Sequence, residues 1–228
     1  MASSTSISTS NSGPPPTTYR EAIFWDVDTQ ADFALPDGKL YAPGAERILV
    51  NLGRLTEYAR RQRILVVASL DAHSENDPEF AQWPVHCLAG TAGQRKVETT
   101  RMERAWIMPL APTALPDDLS QFQQILIEKR TVDVFSNPNV GALLARLGRP
   151  EVTLYGLVTE VCVELAACGL LRRGYRVRLV TDAVWPLKEE DGRRSLEQLE
   201  RSGARLVTTA EVTGDTPPES RPGDRETT

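Results

Sequence analysis

The stretch Val152-Thr-Leu-Tyr-Gly156-Leu-Val-Thr-Glu-Val-Cys162-Val-Glu-Leu-Ala-Ala-Cys168 runs from an apolar segment through a glycine-containing turn into a helical pattern. A strand that feeds a helix through a short turn is the repeating unit of an α/β protein. The same alternation recurs on both sides of it. Upstream, Glu21 to Val27 reads as a strand, Pro43 to Arg63 as a helix and Gln124 to Glu128 as a further strand. Ile64 to Leu70 is almost continuously apolar, as a parallel strand buried on both faces should be. Val140 to Leu147 reads as a helix stopped by Gly148 and Pro150. Downstream lie a strand over Tyr175 to Val180, a helix over Glu189 to Ser202 closed by Gly203, and a short strand over Arg205 to Val207. A long irregular segment, Asp71 to about Gln121, holds one further possible strand at Ala105 to Met108.

Composition fits a single folded unit. The chain has 228 residues, 40% hydrophobic and 25% charged, with a net charge of −5. That charge argues against a nucleic-acid or anionic-membrane surface. No apolar run approaches the roughly 20 residues of a membrane span. Met1 to Thr18 is rich in Ser, Thr and Pro, lacks an apolar core of the secretory type, and reads as a disordered tail. Residues 213–228, rich in Pro, Gly and charge, read the same way, which leaves 19–212 as the folded domain. Three cysteines without framework spacing point to free thiols in a reducing cytoplasm. Lysine is scarce: Lys39, Lys96, Lys129 and Lys188 are the full set, so a lysine in apolar surroundings stands out.

Parallel sheets bind ligands beyond the carboxyl ends of their strands. The residues there are Asp28, Asp71, Lys129 and the segment Leu157 to Cys162. Cys162 falls near a helix start, where the dipole and free N–H groups favour a thiolate and could receive an oxyanion. A buried structural thiol is the competing reading, and it suits Cys168, and also Cys87, better. Asp28 follows an apolar strand and could serve as a base, with a pKa raised by desolvation. Asp32 reads as a turn or cap residue. Lys129 could steady a thiolate, or be a solvated strand end. Both histidines of the chain, His73 and His86, lie in one acidic segment with Asp71 and Glu79. Together they offer up to four ligands for Zn, Fe or Mn, although two unrelated surface histidines would give the same spacing. If a metal takes both, the catalytic base must be a carboxylate.

In order along the chain stand Asp28-x-Gln30-x-Asp32-Phe33, Asp71-x-His73, Trp83-Pro-x-His86-Cys-x-x-Gly90-Thr-x-Gly93, Lys129 and Gly156-x-x-Thr-Glu-x-Cys162-Val. This series resembles the nicotinamidase branch of the isochorismatase-like cysteine hydrolases, across nearly all of the folded part. The resemblance implies a three-layer α/β/α fold with a parallel six-stranded, Rossmann-like sheet. It implies a Cys162, Asp28, Lys129 triad, an oxyanion hole at the N–H groups of Val158 and Cys162, and a cis peptide between Leu157 and Val158. It implies one divalent metal ion, zinc ahead of iron or manganese, on Asp71, His73, Glu79 and His86. Phe33, Trp83 and Phe135 are the expected substrate-binding residues: Phe33 and Trp83 match residues that flank a substrate ring, and Phe135 belongs to the pattern that follows the lysine.

The expected activity is deamidation of nicotinamide to nicotinate and ammonia through a cysteine thioester, in a homo-oligomer of two or more copies. The alternatives are a related amidase for another small amide or ureido compound, a metalloenzyme whose metal-bound water attacks, and a catalytically silent scaffold. The segment between His86 and Lys129 is longer than in compact members of the family and reads as a lid or an oligomer contact.

Overall fold

The computed structural model describes residues 21–214. Seven strands form one parallel sheet: β1 (Ala22–Val27), β2 (Val66–Asp71), β3 (Ala105–Met108), β4 (Gln124–Lys129), β5 (Glu151–Leu157), β6 (Val177–Trp185) and β7 (Arg205–Val207), in the order β3-β4-β2-β1-β5-β6-β7. The resemblance implies six strands. The additional one is the four-residue edge strand β3, with Ile107 53% exposed, too short and too open for a clear apolar signature. β6 continues past Val180 through Thr181 and Asp182 to Trp185, because pairing with β5 outweighs those polar residues.

The helices are α1 (Ala31–Ala34), α2 (Leu49–Gln62), α3 (Val140–Leu147), α4 (Glu164–Arg172), α5 (Glu189–Arg201) and α6 (Thr209–Thr213). A parallel strand must be followed by a crossover, and the crossovers cover both faces of the sheet. Phe24, Val66 and Tyr155 share one apolar layer with Leu52, Leu55 and Ala59 of α2 and Val212 of α6. Trp25, Val67, Ile125 and Leu154 share the other with Leu143 of α3, Ala166 and Leu170 of α4, and Leu199 of α5. This is the expected three-layer α/β/α arrangement.

Most of the expected tails, residues 1–18 and 215–228, lie outside the described residues. Thr213 and Gly214 do not belong to a tail: Thr213 ends α6 and Gly214 caps it in the left-handed conformation. Helix α6 starts with a Thr208–Glu211 capping box, and Asp182 accepts hydrogen bonds from the Thr209 amide and hydroxyl. Among the described residues, no helix is long and apolar enough to cross a membrane.

Strand order reverses at β1, with β2 on one side and β5 on the other. A crevice opens at the carboxyl ends of strands at such a point. Asp28 directly follows β1, and Cys162 follows β5.

Candidate active site

Asp28 adopts a left-handed backbone (φ 47°), a conformation that non-glycine residues rarely take and that active sites often hold. It ends the extended course of β1 and turns the carboxylate toward β2 and β4. Ser69 of β2 donates to Asp28 Oδ1 at 2.6 Å, and Lys129 Nζ stands 2.9 Å from Asp28 Oδ2. The same ammonium contacts Asp71 Oδ1 and lies 3.7 Å from Cys162 Sγ. Asp28 and Lys129 are fully buried and Cys162 nearly so. Burial raises the Asp28 carboxyl above its ordinary value against the pull of Lys129. Burial opposes the charge on Lys129, but Asp28 and Asp71 outweigh it and hold the ammonium well above its usual range. Burial also pushes the Cys162 thiol well up, with Lys129 opposing it. That direction favours the thiol, whereas a helix start alone favours the thiolate.

Cys162 sits in a π-helical turn, Thr159–Val163, ahead of α4. Such turns concentrate at functional sites. The peptide between Leu157 and Val158 is cis. Gly156 holds φ 125°, and a Cβ there would strike the Val27 backbone, so only glycine lets β5 pass β1 this closely.

Asp71, His73, Glu79 and His86 come together beside this group. Asp71 Oδ2 lies 3.7 Å from His73 Nε2 and 3.5 Å from His86 Nε2, and Glu79 Oε2 is 3.8 Å from His73 Nε2. Donors that share one zinc at about 2.0–2.1 Å stand roughly 3.4 Å apart, close to these separations. His73 Nε2 and Glu79 Oε2 are buried without a hydrogen-bond partner among the described residues, as atoms reserved for an ion are. Of the far ring nitrogens, His86 Nδ1 is engaged, 2.7 Å from the Pro84 carbonyl, whereas His73 Nδ1 faces Asp77 Oδ2 at 3.2 Å without a formed hydrogen bond. That outer contact fixes ring orientation in metal sites generally. Asp71, His73 and His86 therefore fit a divalent cation, and Glu79 approaches it on the His73 side, where it groups with His73 and Asp77.

Cys162, Asp28, Asp71, Glu79 and His86 line one cavity whose remaining walls include Phe33, Leu40, Trp83, Val132 and Val158. The Phe33 ring lies 5.3 Å from that of His86. Phe135 is not in this cavity, contrary to its expected role. It packs in the opposite apolar layer against Trp25 at 6.3 Å, with the Arg173 guanidinium 3.9 Å from its ring centre. Gly169 of α4 leaves the space it fills, since a Cβ there would strike the ring. A short turn, Val134–Ser136, carries Phe135 to that layer, and Val132 lines the cavity instead.

An isochorismatase domain model matches residues 23–211. The chain belongs to the isochorismatase-like hydrolase family. Among relatives of this hydrolase is a nicotinamidase of Escherichia coli, 23% identical over 207 residues that cover 81% of this chain and 93% of the relative. A pyrazinamidase of Pyrococcus horikoshii solved in complex with zinc superposes with TM-score 0.68 at 28% identity, covering 83% of this chain and 99% of its own. An N-carbamoylsarcosine amidase of Thermoplasma acidophilum superposes with TM-score 0.66 at 25% identity, covering 83% and 97%.

Three site residues of the hydrolase carry no assigned role in the sequence reading. Gln30 is quoted in a motif only. Its amide donates to the Asp71 and Gln94 carbonyls and accepts the Asp71 N–H, which fixes the Asp71 backbone. Ser69 is a lone hydroxyl in an apolar strand, a readable mark. Asp77 looks like any acid of the loop until its contact with His73 is seen. Asp32 is structural, as expected: it accepts the N–H groups of Lys39 and Cys87.

Proposed function

We propose that this hydrolase deamidates nicotinamide, or a closely similar neutral heteroaromatic carboxamide, to the acid and ammonia through a thioester on Cys162. The observation that carries this reading is a cavity with apolar walls and a metal-competent flank that Cys162 and Asp28 line, with the buried Lys129 ammonium in contact with both.

Asp28, raised by burial, accepts the thiol proton as Cys162 Sγ bonds to the amide carbon. Lys129 offsets the negative charge shared between sulfur and carboxylate. The N–H groups of Val158 and Cys162 receive the oxygen of the tetrahedral intermediate. Asp28 returns the proton to nitrogen as the C–N bond breaks and ammonia leaves. It then takes a proton from one water, whose oxygen attacks the thioester carbon. The C–S bond breaks, the acid departs and the thiol regains its proton. Asp71, His73, Glu79 and His86 would hold a divalent ion such as zinc, which would supply a Lewis-acid anchor for the ring nitrogen. Phe33 and Trp83 would flank the ring.

A ureido substrate is the second reading, favoured by the fold shared with the carbamoylsarcosine enzyme. Against it, the cavity lining includes three carboxylates, Asp28, Asp71 and Glu79, and no Lys or Arg. The Lys129 ammonium is already paired with Asp28 and Asp71, which leaves no lining side-chain cation for a substrate that carries its own carboxylate. Ammonia release from nicotinamide, pyrazinamide and N-carbamoyl amino acids decides. Turnover confined to the carbamoyl compounds would reverse the assignment.

A further inference from the structure

A second buried lysine has no part in this chemistry. Lys96 Nζ lies 2.7 Å from Asp26 Oδ2 and 2.6 Å from the Thr29 hydroxyl, and neither the lysine nor the aspartate side chain is more than 2% exposed. The Thr29 hydroxyl also pairs with Thr100 Oγ1 at 2.8 Å. Around this point two segments run antiparallel. The Ala31 amide donates to Arg95 O and the Val97 amide to Thr29 O, with Gln30 and Lys96 paired as a β-bridge. Filling a core with an ion pair is costly, and apolar side chains of similar size usually serve at least as well. Here the pair is not fully satisfied either, because Asp26 Oδ1 has no hydrogen-bond partner among the described residues. An apolar pair could not supply the directed bond to Thr29.

Thr29 directly follows Asp28, the residue with φ 47°. A side chain held in that region costs of order 1–3 kcal/mol and needs its neighbours to hold it. On the proposed mechanism Asp28 moves the proton at every step. We infer that Lys96, anchored on Asp26, is a positioning residue: through the Thr29 hydroxyl it holds the backbone turn that aims Asp28 at Cys162 and Lys129.

Thr29→Val keeps the shape and removes the hydroxyl. In metal-loaded protein the expected result is a kcat about tenfold lower, with KM and metal content unchanged. Alkylation of Cys162 by iodoacetamide, followed on the Cys162 peptide, should slow by a similar factor, because the proton acceptor is displaced. Thr29→Ser should restore both. Wild-type kcat and alkylation rate in Thr29→Val would overturn the inference. If Thr29→Val does not fold, Asp26→Leu/Lys96→Met decides: it removes both charges together, and wild-type alkylation in it also overturns the inference. This rests on the thioester reading, and Cys162→Ala separates the two. An active Cys162→Ala sinks the mechanism, whereas a dead Cys162→Ala beside an unimpaired Thr29→Val sinks only the role of Lys96.

Discussion

Asp71 and Lys129 stand directly opposite each other at the carboxyl ends of β2 and β4 and form a buried ion pair. The carboxylate is shared. One oxygen meets the ammonium that serves Asp28 and Cys162, and the other faces both histidines. The proposed reaction centre and the metal flank are thus joined through one side chain, which Gln30 fixes by its backbone. Lys129→Met would leave two buried carboxylates without their cation. The expected cost is about 3–5 kcal/mol of stability, together with loss of turnover, read by denaturant unfolding and ammonia release.

Asp77 reaches the proposed metal only through His73. Asp77→Asn keeps the volume and weakens the hold on Nδ1, so metal affinity should fall about 10–100-fold while the fold is kept. Competition with a chelator measures it. Unchanged affinity would show that Asp77 is only the cap of the turn it starts.

Ser69 stabilises the ionised form of Asp28 with its hydrogen bond, which lowers the pKa of that carboxyl. Ser69→Ala removes a lowering influence, so the Asp28 pKa rises further. The base is then deprotonated only at higher pH, and the acid limb of the kcat/KM profile should move upward. A shift downward, or none, would contradict the role of Asp28 as base.

Metal loading should itself depend on pH. Burial opposes a charge on His73, but Asp71 and Asp77 outweigh it, so the free imidazole has a pKa above its ordinary value. A metal needs the neutral ring. As pH falls through that raised pKa, protons compete for the ring, and affinity should weaken from above the ordinary histidine range, about 6.5. Titration of metal content against pH tests this.

The order of strands and helices could be read from period and punctuation, because parallel strands buried on both faces leave continuous apolar runs. The features that escaped are short or depend on contacts distant in sequence. Helix α6 has five residues and is announced only by its Thr208–Glu211 box, whereas strand β3, with four residues and half of them exposed, was legible as a possible strand with the bounds it has. Asp28, Asp71, Lys129 and Cys162 could be placed because strand ends in such a sheet face one crevice. Phe135 was misassigned because the turn beyond Lys129 carries it to the opposite layer, where Gly169 makes room. No local pattern states that choice. Lys96 was conspicuous only by scarcity, since its partner Asp26 lies 70 positions away.

The thioester mechanism is tested most directly by ammonia release and metal content measured on one preparation of Cys162→Ala. Turnover should fall by about 10⁴-fold or more, with the metal retained at the wild-type level, because no ligand has been touched. Residual activity near wild type would show that the thiol is not the nucleophile, and loss of the metal along with the sulfur would show that Cys162 belongs to the metal site.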